Sequence, residues 1–234
     1  MKYKSAAPNK IQVFILWMIA LVTNKNQGIN RKLIAIGELA NFQQWILQKF
    51  PNSQLFLKRE QLWSQIINLN YTPVRIIELG VAWGYTTNWF LEASKKKNVE
   101  VKIESFDLFT GLPEKWRNEP QNAFSNLGNA PAINDKRVNF HVGNVSETIK
   151  VLNSKDLKSS NLLVLFDLDL LEPSLASYQY LKPSLKINDV LVFDEAFDLG
   201  ERTLINDYLL RDFECKSLGH TAYAISLQII VIRN

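Results

Sequence analysis

Apolar positions recur at helical spacing in the first part of the chain. This spacing predicts one helix over residues 31–50, which Pro51 ends, and a second helix over residues 59–69. The most apolar run, residues 11–22, precedes both helices and is too short to span a bilayer as a helix. These segments contain no motif with chemistry of its own. We therefore expect residues 1–70 to form a helical N-terminal section that serves as a lid or as an oligomerisation face.

Three interpretations of residues 11–22 stay open. A buried or oligomer-forming helix ranks first. A helix that lies on a membrane surface ranks second, because the run is strongly apolar and follows a basic start. A secretory signal ranks last, because no small-x-small cleavage site follows the run. We expect a homo-oligomer and no membrane contact.

From residue 71 onward, short apolar runs alternate with helical segments. The pattern predicts strands over residues 74–78, 101–106, 138–142, 162–166, 190–193, 213–218 and 225–232, and helices over residues 85–97 and 173–185. Runs without polar alternation indicate strands that are covered on both faces, and a helix between strands indicates a right-handed crossover in a parallel sheet. The last two strands should close the sheet as a hairpin. We therefore predict an α/β domain over residues 71–234.

The composition is that of an ordinary globular protein, with 47% of the 234 residues hydrophobic and 21% charged. The formal net charge of +4 comes from scattered basic residues, with one cluster at the end of a predicted helix, so we expect no nucleic-acid partner. The single cysteine, Cys215, excludes an internal disulfide and favours a reducing compartment such as the cytoplasm. The two histidines, His141 and His220, have no Cys or His neighbour at ligand spacing, which argues against a zinc site.

The turn after the first predicted strand carries the strongest local signal. Glu78, Gly80 and Gly84 lie between an apolar strand and a helix, a position where glycines let the backbone approach a ligand closely. The spacing matches neither the Gly-x-Gly-x-x-Gly fingerprint nor a phosphate-binding loop with Lys. An acidic residue there suits the amino group or hydroxyls of a ligand such as S-adenosylmethionine. A purely structural turn is the alternative.

Carboxylates follow four of the first five predicted strands. They are Glu78, Asp107, Asp167, and the pair Asp194 and Glu195. Because ligands of parallel α/β sheets bind at the carboxyl ends of the strands, we expect these acids to converge on one crevice. Asp107 ends the strand after Glu78 and could accept hydrogen bonds from ribose hydroxyls, although a helix-capping role is the alternative for this residue alone.

Three of these acids also suit a divalent cation. Asp167, Asp194 and Glu195 would offer hard oxygen ligands to magnesium. Asp169 competes for a ligand role, because it shares a face with Asp167 if the strand continues. No Gly-x-Ser-x-Gly nucleophile elbow is present, which argues against a hydrolase of this sheet type.

The residues at these positions resemble the class I S-adenosylmethionine-dependent methyltransferases and, within them, the macrocin O-methyltransferase-like (TylF-type) family. Four segments carry the resemblance: residues 77–84, 105–116, 166–170 and 192–197. The most specific is the Phe-Asp-x-Phe-x-Gly-Leu-Pro-Glu-x-Trp string within residues 105–116. Arg59, Glu60 and Leu62 also resemble an entry helix of the family. The resemblance extends from about residue 58 to the C-terminus.

The resemblance implies a Rossmann-like seven-stranded methyltransferase sheet with helices on both faces, S-adenosylmethionine over the first strands, and magnesium dependence. The implied cofactor residues are Glu78, Gly80, Val81, Trp83, Gly84, Tyr85, Thr86, Asp107, Leu108, Gly143, Asn144 and Asp167. The implied metal ligands are Asp167, Asp194 and Glu195. The chain departs from the family pattern at Leu171 and Ala196, where Tyr or another polar residue is usual, and this casts doubt on the customary sugar substrate.

We therefore expect methyl transfer to a hydroxyl of a small molecule of sugar or natural-product type. Asp167 or Asp169 would accept the proton. The acceptor pocket would be built from residues 109–116, the loop 118–135 and the N-terminal helices. Two rivals stand beside this hypothesis. One is a non-catalytic nucleoside-binding or scaffold protein with a methyltransferase fold, and the other is a nicotinamide oxidoreductase, which the missing third glycine disfavours.

Overall fold

The computed structural model describes residues 27–67, 69 and 74–233, together with Ile15, Met18 and Ile19. Except for those three positions, the apolar helix predicted over residues 11–22 lies outside the described residues. The chain divides into two compact units, Met1–Asn41 and Phe42–Asn234. The division expected after residue 70 stays a prediction. Among the described helices, none is long and apolar enough to cross a membrane.

Eight α-helices occur in the described part of the chain. They are α1 (Gln27–Lys49), α2 (Arg59–Ile67), α3 (Tyr85–Lys97), α4 (Val145–Thr148), α5 (Ser154–Ser159), α6 (Leu171–Leu181), α7 (Leu199–Thr203) and α8 (Leu210–Asp212). Short 3-10 turns follow α4 and α6, and a π-helical segment, Leu204–Leu209, joins α7 to α8. The longest four helices were predicted from hydrophobic spacing. The others are too short for a periodic pattern to identify.

The described strands form one seven-stranded mixed sheet. They are β1 (Val74–Leu79), β2 (Val101–Asp107), β3 (Val138–Val142), β4 (Asn161–Phe166), β5 (Val190–Phe193), β6 (Phe213–His220) and β7 (Ile225–Ile232). The order is β3-β2-β1-β4-β5-β7-β6, with β1 to β5 parallel and β7 antiparallel to both of its neighbours. This arrangement confirms the prediction of a Rossmann-like α/β sheet closed by a C-terminal hairpin.

The central strands are buried along almost their whole length. Ile76, Ile103 and Leu163, from β1, β2 and β4, belong to one apolar cluster that Trp63 of α2 and Phe90 of α3 also enter. The rings of Trp63 and Phe90 lie 5.7 Å apart. Since each fully buried side chain of this size contributes about 1.5–3 kcal/mol, this cluster fixes α2 and α3 against the sheet.

The strand order reverses between β1 and β4. The chain runs outward through β2 to the edge strand β3 and then returns to lie beside β1 as β4. The carboxyl ends of β1 and β4 therefore flank a topological switch point, which is where open α/β sheets bind their ligands.

Candidate active site

A cleft of about 800 Å³ opens at the switch point. Residues at the carboxyl ends of β1, β2, β4 and β5 line it: Asp107 is the last residue of β2, and Gly80, Asp167 and Asp194 directly follow β1, β4 and β5. Backbone hydrogen bonds extend the sheet ladder to these positions: the Asp167 N–H donates to the Leu79 carbonyl (2.8 Å). The strand ends thus hold the acidic residues in register along one edge of the sheet.

Gly80 allows the ends of β1 and β4 to meet. Its φ angle is +92°, a conformation that side chains rarely adopt, and a Cβ at this position would overlap the backbone carbonyl of Asp167. Gly84 has a φ angle of +78° at the start of α3, and a Cβ there would lie 2.9 Å from Ile133. Gly80 lines the cleft, whereas Gly84 packs beneath the loop that precedes β3.

Asp107 fixes the backbone between β1 and α3. Its Oδ2 accepts hydrogen bonds from the N–H groups of Val81 (2.7 Å) and Ala82 (2.8 Å), and its Oδ1 accepts one from Phe109 (2.7 Å). Hydrogen bonds to a carboxylate are stronger than neutral ones, so this one side chain orders two walls of the cleft. A carboxylate offers about four acceptor sites, which leaves capacity for a ligand.

Four carboxyl groups line the opposite half of the cleft, and we call them the acid cluster: Asp167, Asp169, Asp194 and Glu195. Burial, and secondarily the charge of neighbouring carboxylates, raises the pKa of Asp169 to about 7 and the pKa of Glu195 to about 8. The same causes raise the pKa of Asp167 well above its usual value. Burial also raises the pKa of Asp194.

The acid cluster has few cationic neighbours, since Arg59 is the one basic residue that lines the same cleft in the described part of the chain. Behind it lies Glu201, which is 2% exposed and accepts a hydrogen bond from the Glu195 N–H through Oε2 (3.0 Å). The Oε1 of Glu201 is buried without a hydrogen-bond partner. Groups with such perturbed pKa values, gathered in a cleft, mark functional sites more often than structural ones.

The position of Asp169 differs from the prediction. Strand β4 ends at Phe166, and Asp169 lies in the following turn with a φ angle of +61°. Asp169 was expected to share a strand face with Asp167 if the strand continued, and this condition is not met because the strand ends at Phe166. The turn still brings Asp169 to the cleft.

Arg59 lines the cleft, whereas its sequence context predicted only a place in an entry helix. Its Nη1 donates to Asp194 Oδ2 at 2.9 Å, and its guanidinium lies over the rings of Trp63 (5.2 Å) and Tyr85 (5.4 Å). A single arginine ahead of the first strand carries no sequence signal of this role. Its position follows from the packing of α2 against α3.

The chemistry of the acid cluster suits a hard cation, because its carboxylates repel one another in a partly buried site. The side chains, however, are not arranged as a complete metal site. No group of three His, Cys, Asp or Glu side chains in the part of the chain that is described is arranged to hold a metal ion. Asp167, Asp194 and Glu195 line one cleft, and one oxygen of Asp194 is already engaged by Arg59.

The irregular segment between β2 and β3 forms a third wall. Trp116 and Phe124 from this segment line the cleft. Arg117 anchors it: the guanidinium donates to Asp198 Oδ2 (3.1 Å) and lies 4.7 Å from the ring centre of Phe197. Since Phe197 and Asp198 follow β5, this anchor brings Trp116 to the side of the cleft that holds the acid cluster.

Residues 77–196, just over half of the chain, match the protein family described as "methyltransferase domain". The chain belongs to this methyltransferase family. The prediction that the protein is a methyltransferase is therefore confirmed. Comparison with curated proteins gives no match.

Solved structures of methyltransferases share the fold. The calicheamicin methyltransferase CalS11 is 18% identical over 95% of this chain and 94% of its own, with a TM-score of 0.58. The O-methyltransferase NovP is 14% identical over 74% of this chain and 79% of its own, also with a TM-score of 0.58. The apo structure of CalS11, described as a TDP-rhamnose 3'-O-methyltransferase, is 17% identical over 95% and 96%, with a TM-score of 0.51.

Most of the residues predicted for the site of this methyltransferase do line the cleft. They are Gly80, Val81, Trp83, Tyr85, Thr86, Asp107, Leu108, Asn144, Asp167, Asp169, Asp194 and Glu195. Gly84 and Gly143 do not line it. Gly143 has a φ angle of +140° and packs against Thr148, which makes it a turn glycine that precedes α4. The roles assigned to all of these residues stay predictions.

Glu78 lies beneath the cleft of the methyltransferase. It is 1% exposed, and its Oε2 accepts hydrogen bonds from the hydroxyls of Thr87 and Ser105 (both 2.6 Å). Its Oε1 is buried without a hydrogen-bond partner. Glu78, Gly80 and Asp167 also line a small second cavity. Burial raises the pKa of Glu78 from 4.5 to about 7.

Replacing Glu78 with glutamine should stabilise the protein most at alkaline pH. The folded-state pKa is about 7 and the usual value is 4.5, so the unfolded chain releases this proton first and stability falls as the pH rises between those values. Glutamine cannot ionise, and its oxygen can accept the same two hydrogen bonds. We expect urea denaturation to show a gain of about 1–3 kcal/mol at pH 8 and a much smaller gain at pH 5.

The control for this measurement is Glu147→Gln, a change of the same chemistry at an exposed position on α4. It should leave stability nearly equal at both pH values. A Glu78→Gln protein whose stability differs from the wild type equally at pH 5 and pH 8 would contradict the assignment of a raised pKa.

Proposed function

We propose that this methyltransferase transfers the methyl group of S-adenosylmethionine to a hydroxyl of a small molecule, of sugar or natural-product type, with magnesium as a second cofactor. One observation carries the proposal. The ordered turn after β1 and the acid cluster after β4 and β5 share one cleft, so a nucleoside cofactor and a proton-accepting group would lie side by side.

The half of the cleft at β1 and β2 fits the cofactor. Gly80 lines this half of the cleft, and Asp107 holds the turn in place while keeping about one of its four acceptor sites for a ribose hydroxyl. The carboxyl group of Glu78, which lies beneath this half of the cleft, suits the cationic amino group of the methionine part. The remaining cofactor contacts would come from Val81, Trp83, Tyr85, Thr86, Leu108 and Asn144.

The acid cluster would handle the proton of the acceptor. S-adenosylmethionine supplies an electrophilic methyl group on a positively charged sulfur. As the bond between the acceptor oxygen and the methyl carbon forms, the sulfur–methyl bond breaks and S-adenosylhomocysteine leaves. The acceptor hydroxyl loses its proton, which an Oδ of Asp167 or Asp169 would take. A carboxyl group with a pKa near 7 is better matched to this task than an ordinary aspartate. The walls of the cleft would contribute by holding the two reactants in line.

Asp167, Asp194 and Glu195 would hold the magnesium ion, which supplies Lewis acidity toward the acceptor hydroxyl. The mutual repulsion of these carboxylates supports this proposal. For Asp194 to serve as a ligand, Arg59 must share or release the oxygen that it contacts. NovP is an O-methyltransferase, which agrees with a hydroxyl as the acceptor group.

Three finer assignments belong to the same proposal. We assign the chain to the class I, TylF-type group on the segment within residues 105–116. We assign residues 1–70 to a lid or an oligomerisation face, with a homo-oligomer as the working form. The single cysteine supports a cytoplasmic location.

Isothermal titration with S-adenosylhomocysteine, with and without magnesium, tests the proposal. We expect a dissociation constant on the order of micromolar, equivalent to about 8 kcal/mol. NAD titrated in the same way should not bind. Turnover on hydroxylated acceptors should stop when EDTA is added and return with excess magnesium. A protein that ignores S-adenosylhomocysteine contradicts the whole proposal, and EDTA-resistant turnover contradicts the role of magnesium alone.

A further inference from the structure

The cleft has a strongly one-sided charge. Seven of its lining residues are acidic, and within the described part of the chain Arg59 is the one basic residue that lines it. Arg59 already donates to Asp194 at 2.9 Å. Arg117, which follows the lining residue Trp116, pairs with Asp198 at 3.1 Å. Both arginines therefore already have acidic partners, so neither is available to bind a phosphate or carboxylate that enters the cleft.

Two of the acids, Glu114 and Glu172, have no part in the proposed chemistry. Glu114 belongs to the segment between β2 and β3, and Glu172 lies in the first turn of α6. Both line the cleft on walls that also carry apolar residues. Neither carboxylate would be neutralised by the proposed magnesium ion or cofactor. Their negative charge therefore acts on a methyl acceptor that enters the cleft.

The walls on the side of the acid cluster are otherwise apolar. Trp116 comes from the anchored segment, and Leu171 and Pro173 from the start of α6. Phe124 lies at the opposite wall, where its ring meets Trp83 edge to face at 6.4 Å. Aromatic and aliphatic walls of this kind favour a ligand with a flat apolar face and few charged groups.

We infer that the methyl acceptor is a neutral or cationic hydroxylated molecule with a flat apolar face. The cleft discriminates against acceptors that carry phosphate, nucleoside diphosphate, coenzyme A or free carboxylate groups. Glu114 and Glu172 contribute to this discrimination, and Trp116 contacts the apolar face. The inference rests on the proposed function, since it describes the acceptor of that same site.

A charge series on one ring tests the inference. The three probes are 3,4-dihydroxybenzyl alcohol (neutral), dopamine (cationic) and 3,4-dihydroxybenzoate (anionic), which share the hydroxylated ring. Their dissociation constants are measured by titration into the protein saturated with S-adenosylhomocysteine and magnesium. We expect the neutral and cationic probes to bind at least about tenfold more tightly than the anionic probe.

Two variants test which residues cause the charge discrimination and the apolar contact. The Glu114→Gln/Glu172→Lys double variant should improve binding of the anionic probe about tenfold and change binding of the neutral probe far less. Trp116→Ala should weaken binding of all three probes about tenfold and leave binding of S-adenosylhomocysteine unchanged. Glu147→Gln, which removes a charge from the exposed face of α4, serves as the control and should match the wild type.

The outcomes distinguish a failure of the proposed function from a failure of the inference about the acceptor. If S-adenosylhomocysteine does not bind, the proposed function fails and the inference falls with it. If it binds, and the anionic probe binds as tightly as the neutral one, the inference is overturned while the proposed function stands. Failure of all three probes to bind the loaded protein also overturns the inference. Equal gains for all three probes in the double variant would remove Glu114 and Glu172 from the explanation.

Discussion

Replacing Asp107 with alanine should reduce the affinity for S-adenosylhomocysteine by at least about a hundredfold. Three backbone N–H groups, from Val81, Ala82 and Phe109, lose their acceptor in this variant. Each hydrogen bond to a charged acceptor contributes about 1.5–3 kcal/mol, so the loss of two is enough for this effect. Both the turn after β1 and the segment that starts after β2 would lose their ordered conformation.

Asparagine at position 107 should have an intermediate effect, because its single oxygen can serve Val81 and Ala82 while its amide nitrogen faces the N–H of Phe109. Asp156→Ala, a removal of charge on the short helix α5, is the matched control. Isothermal titration measures the affinity, and circular dichroism establishes that each variant is folded. An Asp107→Ala protein that binds within about threefold of the wild type would show that the turn is ordered by other contacts.

Replacing Asp167 with asparagine should lower the rate of methyl transfer by about a thousandfold, within the range that general bases contribute. The same change should raise the thermal stability. Burial, followed by the charges of Asp194, Asp169 and Glu195, raises the pKa of Asp167 well above its usual value. Because a raised pKa makes an acid destabilising as the pH rises above its unfolded-state value, the gain in stability should be larger at pH 8 than at pH 5.

Asp212→Asn is the contrasting control for this prediction. Asp212 accepts a hydrogen bond from Tyr178 (2.7 Å) and pairs with Lys182 (2.7 Å), and these contacts lower its pKa although burial opposes them. Its replacement should therefore reduce stability and leave methyl transfer intact. Thermal unfolding and initial rates are measured for both variants. An Asp167→Asn protein that is both less stable and fully active would make Asp167 a structural residue.

The central sheet could be predicted because its strands are continuous apolar runs. The bounds of β3, β5 and β7 agree with those predicted from the sequence, and the bounds of β2 and β4 differ from the predicted ones by one residue. The expectation that acids lie at one edge followed from parallel strand order alone, and Asp107, Asp167 and Asp194 line one cleft in the structure. Their chemical roles still depend on experiment.

Other features depend on tertiary contacts that the sequence does not display. Arg59 reaches the cleft because α2 packs on α3, and Asp169 reaches it through a turn in the left-handed region. The full burial of Glu78 and the three hydrogen bonds that Asp107 accepts are also consequences of packing. The helices α4, α5, α7 and α8 are shorter than two periods of the pattern that would identify them.

The close passage of Gly80 beside the Asp167 carbonyl limits how this enzyme can be redesigned. Any side chain at position 80 would force β1 away from β4 and shift the cleft residues that follow these two strands relative to one another. Enlargement of the cleft for bulkier sulfonium analogues therefore has to begin elsewhere. Trp83, which is 61% exposed at the rim, is the position at which volume can be removed without disturbing the sheet.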